Sequence, residues 1–132
     1  VCKSRAPEIA ARLSASSGAD VSRTAIRWRN PANAPDDLER AVMQGFAAEL
    51  SSALPATTAP PEAIFESRSA QGTERRYLRA IVMQPVCLAC HGATLAPEIA
   101  TAIARDYPQD AATGFETGQL RGAVTVRWPV TR

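Results

Sequence analysis

Two cysteines and a histidine stand close together in the segment Cys87-Leu88-Ala89-Cys90-His91. This is the spacing used for c-type haem attachment. Each of two thiols separated by two residues can add to one haem vinyl group, and the imidazole that follows can reach the iron from the same side. His91 is also the single histidine of the 132-residue chain. The segment therefore predicts one covalent haem c per chain, attached through Cys87 and Cys90, with its iron ligated by His91.

Three other kinds of site use a pair of cysteines at this spacing. A dithiol redox site usually follows a strand and opens a helix, but here Gly92 and Pro97 would interrupt such a helix. A zinc site could use the three cysteines and the histidine, although the adjacent Cys90 and His91 would strain one tetrahedral ion. A structural disulfide between the paired cysteines is the third alternative. We favour haem attachment over all three.

A haem iron bound by His91 needs any second protein ligand from another residue type, because the chain has no other histidine. The candidates are Cys2, Met43, Met83, water or an exogenous ligand, with the methionines on patterned apolar faces where a core role is expected. A Cys2 thiolate would hold the reduction potential low, and its bond to iron would weaken on reduction. This predicts a switch in which reduction releases Cys2 and shifts the N-terminal helix. The alternative is that Cys2 is a small buried hydrophobic residue.

The composition fits a single globular domain over residues 1–132. The hydrophobic fraction of 45% and charged fraction of 21% argue against disorder and against a membrane-embedded chain. The net charge is +2 and the arginines are spread along the sequence, so we expect no nucleic-acid partner. No paired carboxylates, nucleophile-base motif or phosphate loop stands near the cysteine segment, so we expect no enzymatic activity.

Helices and strands alternate along the chain in a pattern that must position this segment. The first predicted helix lies at the N-terminus and has Cys2, Ala6, Ile9 and Leu13 on one face. The second follows Pro35, and in it Leu38, Val42, Phe46 and Leu50 recur every four residues. A short third helix follows Pro97. The predicted strands are Val21 to Arg29, Ala63 to Ser67, Glu74 to Gln84 and a final one through Val124, Val126 and Trp128. Pro7 leaves the start of the first helix open.

Turns and loops complete the arrangement. We expect a turn at Gln71-Gly72, a loop from Ser16 to Asp20, a surface connection from Ser51 to Pro61 and a loop from Tyr107 to Gly118. Hairpin-like strands with interspersed helices predict an α+β domain with an antiparallel sheet, of which a PAS-like sheet is one form.

Two arginines on the polar side of the first predicted strand could contact the cofactor. Arg27 and Arg29 could pair with haem propionates, because a guanidinium group binds a carboxylate through two parallel hydrogen bonds. Their alternative role is that of solvated residues on an exposed strand face. Asp110 is expected to cap a turn near the pocket.

Further blocks of sequence accompany the cysteine segment. They are Val1-Cys2-Lys3 with Ala6-Pro7, Arg29-Asn30-Pro31-Ala32-Asn33-Ala34-Pro35-Asp36 with Glu39, Tyr107-Pro108, Asp110-Ala111-Ala112-Thr113-Gly114-Phe115, and Gly118 with Arg121-Gly122-Ala123-Val124. Together with Cys87 to Gly92, these blocks resemble a family of PAS-like haem c sensor domains, long catalogued as a domain of unknown function. The resemblance spans nearly the whole chain.

The resemblance implies a PAS-like sheet flanked by helices, with haem attached at Cys87 and Cys90 and ligated by His91. It also implies that Cys2 is the distal iron ligand, although few residues precede Cys2 here. Members of the family are free periplasmic or lumenal proteins, or extracytoplasmic sensor modules of signalling proteins. We therefore expect a periplasmic or otherwise extracytoplasmic redox or ligand sensor, with a simple low-potential electron carrier as the alternative.

The expected partner is a redox protein or an attached signalling module. Since haem c is attached after export, we expect a signal peptide or membrane anchor upstream of Val1. Any contact with a membrane would come from such a preceding segment, because no apolar run approaches the roughly 20 residues of a spanning helix.

Overall fold

The computed structural model describes residues 2–52 and 59–130, with side chains described from Arg5 onward. The helices are α1 (Cys2–Ser17), α2 (Asp37–Ser51), α3 (Leu88–His91) and α4 (Pro97–Asp106), and the strands are β1 (Asp20–Thr24), β2 (Glu62–Ser69), β3 (Gly72–Val82) and β4 (Leu120–Pro129). Short 3-10 turns occupy Pro31–Asn33 and Pro85–Cys87. Of the predicted surface connection, residues 53–58 lie outside the described part. None of the described helices is long and apolar enough to span a bilayer.

The four strands form one antiparallel sheet in the order β1-β4-β3-β2. Strands β2 and β3 make a tight hairpin in which Ser69 is opposite Gly72, as the turn signal at Gln71-Gly72 predicts. Strand β4 lies between β1 and β3, so that Val126 is opposite Val21 on one side and Tyr77 on the other. The predicted α+β class with an antiparallel sheet is confirmed.

Helix α2 begins with a capping box and supplies one side of the core. The Asp36 carboxylate accepts a hydrogen bond from the Glu39 N–H at 2.8 Å, and the Glu39 carboxylate accepts one from the Asp36 N–H at 3.0 Å. Met43 and Phe46 of this helix are buried against the sheet. Their core partners on β3 and β4 are Leu78, Ala80 and Ala123. Each large apolar side chain buried in this way contributes about 1.5 to 3 kcal/mol.

A charged cluster joins the start of α2 to the same face of the sheet. The buried Arg76 guanidinium lies 2.7 Å from Asp36 and 3.5 Å from Glu39, with Arg127 at 3.8 Å from Asp36. Partial burial acts to raise the pKa of Asp36, but the Glu39 N–H and the Arg76 guanidinium outweigh it and lower that pKa below 3.8. The cluster therefore fixes the N-terminus of α2 on the sheet.

Strand β1 is shorter than the sequence predicts, and the predicted continuation to Arg29 is wrong. Beyond Thr24 the chain leaves the sheet, because the Ala25 N–H donates to the Asn33 carbonyl at 3.1 Å instead of continuing the ladder. The Thr24 hydroxyl donates to the same carbonyl at 3.1 Å. Arg27 and Arg29 therefore lie on a loop, so alternation along a strand does not set the direction of their side chains.

Helix α1 is confirmed as a helix, and Pro7 lies inside it. The Ser14 hydroxyl accepts a hydrogen bond from the Val21 N–H at 2.8 Å and so ties the helix to β1. Ile9 and Leu13, on the predicted apolar face, are 46% and 48% exposed. Gly18, with φ at 72°, ends the helix, so the predicted loop from Ser16 to Asp20 is shorter than expected. The apolar face of α1 therefore remains largely in contact with solvent.

Candidate haem-attachment site

The cysteine segment directly follows the central strand β3. Pairing becomes irregular at Ile81 and Val82, and the Met83 N–H then donates to the Gln119 carbonyl at 2.8 Å. After Pro85, a 3-10 turn leads into α3, which contains Cys90 and His91. The two cysteines and the histidine are therefore held in one compact helical turn at the end of the sheet.

The two thiols face different surroundings. Cys87 is half-buried and packs against the second core cluster, formed by Met83, Ala112 and Phe115, whereas Cys90 is exposed. Both are free thiols in the structure. The structure therefore contains neither the disulfide weighed as an alternative nor a long helix of the thioredoxin kind, since α3 ends at His91.

Gly92 permits the chain to turn immediately after the histidine. A Cβ atom at this position would lie 2.6 Å from the Leu88 carbonyl oxygen, closer than real side chains approach a backbone atom. The Gly92 N–H donates to that same carbonyl at 2.9 Å. The glycine is required by this close approach.

His91 is held in one defined tautomer. Its Nδ1 atom lies 2.8 Å from the Ala112 carbonyl oxygen, which can only accept, so Nδ1 carries the proton and Nε2 retains its lone pair. Burial lowers the pKa of His91 to about 4, against a smaller raising effect of the Ala112 carbonyl. A neutral imidazole that donates its Nδ1 hydrogen to a backbone carbonyl is the form that ligates a metal through Nε2.

The segment 110–115, here called the clasp, lies against one side of the turn that contains His91. The Phe115 N–H donates to the His91 carbonyl at 2.9 Å, and the Gly114 N–H donates to the Gly92 carbonyl at 3.0 Å. The Phe115 ring meets the imidazole edge-on, with ring centroids 6.3 Å apart. Sequence reasoning expected a turn near the pocket but missed these contacts, because most of them are made by backbone atoms that no side chain signals.

Arg29 connects this clasp to the cysteine segment. Its guanidinium lies 2.9 Å from the Asp110 carboxylate and donates to the carbonyls of Cys90 at 2.6 Å and Ala112 at 3.1 Å. The side chains of Arg29 and Asp110 are only 13% and 10% exposed. Asp110 also accepts from the Ala112 N–H at 3.0 Å, as expected for a capping residue. The described partners of Arg29 are thus protein groups, and its propionate role stays a prediction.

Arg27 lies beside the same clasp. Its guanidinium donates to the carbonyls of Ala111, at 3.1 Å, and Thr113, and lies 4.0 Å from the centroid of the Phe115 ring. Its contact with a propionate also stays a prediction.

A third arginine, which the sequence reasoning did not single out, lies next to the imidazole. The Arg121 Nε is 3.4 Å from the His91 Nε2, and its Nη1 donates to the Arg27 carbonyl at 3.3 Å. Burial, followed by the charges of Arg29 and Arg23, lowers the pKa of Arg121 to about 10. Arg121 belongs to one of the sequence blocks that carry the family resemblance, but nothing in that block predicts a role for its side chain.

A cavity of about 320 Å³ lies between the second half of α2 and the start of β4, and its wall includes Phe115 and Arg121, which both contact His91. Its wall contains the guanidinium groups of Arg27 and Arg121. The apolar side chains that line it are Ile26, Ala47, Leu50, Phe115 and Leu120. An apolar wall with a few cationic groups is suited to a flat apolar ligand that carries acidic groups. The cysteine segment does not line this cavity but adjoins it, because Cys87 packs on the cluster that contains Phe115 and His91 contacts Arg121. The cavity wall, the two free thiols and the neutral imidazole together fit a haem group.

The remaining candidate ligands can be placed in part. Met43 and Met83 are fully buried in the two core clusters, which supports the expected core role. Cys2 opens α1, but its side chain lies outside the described residues. Among the side chains that the structure does describe, no three metal-binding groups lie close together. The zinc alternative would also need Cys2, so it is not tested.

Comparison with known proteins gives one family and one solved structure. A model of the Tll0287-like family matches residues 1–129. The crystal structure of the cyanobacterial heme-protein Tll0287 superposes with a TM-score of 0.73 at 30% sequence identity, and the match covers 100% of this chain and 73% of that one. No curated protein matches the sequence.

Proposed function

Because the chain belongs to the Tll0287-like family, we propose that it is a c-type haem protein with one haem attached to Cys87 and Cys90. His91 ligates the iron. The observation that carries this proposal is the 2.8 Å hydrogen bond from the His91 Nδ1 to the Ala112 carbonyl, which leaves the lone pair on Nε2, the atom now approached by the Arg121 Nε at 3.4 Å, as the metal-binding position in a segment with two free thiols. The name of the similar cyanobacterial heme-protein supports the same cofactor.

The chain's own residues provide attachment, orientation and partial exclusion of water. When bound, haem supplies one-electron redox chemistry and an iron position that can bind an exchangeable ligand. The Ala112 carbonyl orients the imidazole, while Arg29 holds that carbonyl and the cysteine segment together. The apolar wall at Leu50 and Phe115 reduces the access of water on one side.

We further propose an extracytoplasmic redox or ligand sensor without enzymatic activity. Cys2 is the proposed distal ligand and the first residue of α1. The Ser14 side chain of the same helix is hydrogen-bonded to Val21 of β1. Loss of a Cys2 bond on reduction would release the start of that helix. The exposed Ile9 and Leu13 give the same helix an apolar surface on which an attached signalling module could register the change.

A low-potential electron carrier is the second candidate, and one observation favours it. Val86, next to Cys87, is 82% exposed, and Cys90 is exposed as well. An exposed attachment segment would bring the haem edge close to a redox partner. This carrier would keep the same iron ligands in both oxidation states.

The cofactor is tested by a pyridine haemochrome assay and intact mass spectrometry of protein matured in a haem-competent host. We expect one covalently attached haem per chain in the parent and no covalently attached haem in a Cys87→Ala/Cys90→Ala variant. A parent without a porphyrin adduct would refute the proposal.

Sensor and carrier are separated by absorption spectra of the oxidised and dithionite-reduced protein, with and without carbon monoxide. Ligand loss on reduction, or carbon monoxide binding, supports the sensor, whereas unchanged six-coordination supports the carrier. Cys2→Ala tests the distal ligand, because parent-like ferric and ferrous bands in that variant would exclude Cys2. Cell fractionation of the full-length protein tests the extracytoplasmic location.

A further inference from the structure

Two guanidinium groups in the cavity wall have no carboxylate partner among the described residues. Arg27 is bonded to the carbonyls of Ala111 and Thr113, and Arg121 contacts the Arg27 carbonyl and His91. Arg29 differs, because its guanidinium already forms an ion pair with a protein carboxylate. The cavity therefore presents two cations whose charge no described acidic side chain neutralises by direct contact.

The surrounding charges make this imbalance larger. Arg23, Arg27 and Arg29 all act on Arg121, and Asp110 is the acidic residue whose charge acts most strongly on it. These are four cations and one anion, so the set carries a charge of 4 − 1 = +3. Arg27 is exposed to solvent and Arg121 is partly buried, so the lack of a counter-charge is most costly at Arg121. A ligand with two carboxylates would offset most of this charge.

The position of Arg121 adds a geometric argument. Its Nε lies 3.4 Å from the His91 Nε2, which has one lone pair. An iron bound to that lone pair would take the direction that the Arg121 Nε now occupies, so the guanidinium would turn away from His91 and need another acceptor. Its Nη1 already donates to the Arg27 carbonyl at 3.3 Å, which places the group at the cavity wall.

Resting on the haem function proposed above, we infer that Arg121 binds a propionate of the haem. It anchors this carboxylate on the side of the cavity next to His91, and Arg27 contributes to the same cationic wall. A guanidinium matches a carboxylate through two parallel hydrogen bonds, so lysine can replace the charge of Arg121 but not the full contact.

The test is resonance Raman spectroscopy of the matured, haem-loaded protein, because the propionate bending band responds to hydrogen bonding at the propionates. We expect Arg121→Met to shift this band and Arg121→Lys to shift it less. Arg75→Met is the control, since Arg75 pairs with Glu66 on the β2–β3 hairpin, away from the cavity. The reduction potential should fall in Arg121→Met, because loss of the cation leaves the propionate charge uncompensated beside the ferric iron.

A second measurement keeps the inference testable if Arg121→Met does not fold. A Cys87→Ala/Cys90→Ala protein, checked for folding by circular dichroism, is titrated with haemin and with haemin dimethyl ester. We expect the ester to bind about tenfold more weakly or worse, as for loss of a charge-assisted hydrogen bond. Addition of Arg121→Lys should reduce this preference for the free acid.

The outcomes separate the two proposals. A haem-loaded Arg121→Met protein with an unchanged propionate band, or equal affinity for haemin and its ester, would overturn the role of Arg121 alone. A parent protein that carries no haem would overturn the haem function and this inference together.

Discussion

Replacement of Arg29 by methionine tests whether the clasp around the histidine turn depends on one buried ion pair. Arg29→Met keeps much of the apolar length of the side chain but removes every hydrogen bond that the guanidinium makes. The Asp110 carboxylate then stays buried without its cation, and the carbonyls of Cys90 and Ala112 lose a donor. The free energy of unfolding should therefore fall.

The size of this effect follows from burial. The side chains of Arg29 and Asp110 are 13% and 10% exposed, and removing one partner of a buried pair costs about 3 to 5 kcal/mol. Some solvent still reaches both groups, so we expect about 3 kcal/mol. The pair of Arg75 with Glu66 has nearly the same length, 3.0 Å against 2.9 Å, but is 45% and 38% exposed. Arg75→Met should cost about 0.5 kcal/mol.

Urea unfolding followed by far-UV circular dichroism measures both variants against the parent. Because Ala112 also accepts the hydrogen bond of His91, the ferric absorption bands of Arg29→Met should broaden, whereas those of Arg75→Met should not change. Equal and small losses of stability in the two variants would show that burial does not increase the contribution of the Arg29–Asp110 pair to the free energy of unfolding, and would refute the prediction.

Three further predictions concern the turn, the core and the helix cap. Gly92→Ala should destabilise the protein by about 1 to 3 kcal/mol, because its Cβ would collide with the Leu88 carbonyl, and should lower the haem content in a pyridine haemochrome assay. Met43→Ala should cost about 2 to 5 kcal/mol in urea unfolding, whereas Leu38→Ala, at a site 45% exposed, should cost less than about 1 kcal/mol. Asp36→Asn should cost about 0.5 to 1 kcal/mol at neutral pH. Since the pKa of Asp36 is lowered in the folded state, that difference should shrink as the pH falls below the ordinary value of 3.8 and vanish once the pH is below the folded-state pKa, and its persistence in strong acid would contradict the assigned ion pair.

Elements with strong local signals were predictable from the sequence. The four-residue recurrence from Leu38 to Leu50 after Pro35 predicts α2, and the turn at Gln71-Gly72 predicts the hairpin. In both cases the signal lies within a short stretch of sequence. The candidate attachment segment Cys87 to His91 also carries a strong local signal, because two thiols and an imidazole must be close in sequence for this chemistry, and its haem attachment stays a prediction.

The misplaced features depend on contacts between distant segments. Alternation favours a strand through Arg29, but the Asn33 carbonyl takes the Ala25 N–H, and the chain leaves the sheet. The position of Arg121 beside His91 joins residues 30 positions apart. The Ala112 carbonyl accepts the hydrogen bond of His91, but any residue type has such a carbonyl. The sequence alone therefore could not identify Ala112 as the partner of His91.

The strand order has a consequence for how the molecule assembles. Strand β4 separates β1 from β3, and Asp20 is opposite Arg127, 127 − 20 = 107 positions further along the chain. Such high contact order slows folding, because a long loop must close before its contacts can stabilise the product. Until the ribosome has made β4, β1 has no neighbour in the sheet. A chain stalled before Leu120 would therefore hold the thiols of Cys87 and Cys90 without a completed sheet behind them.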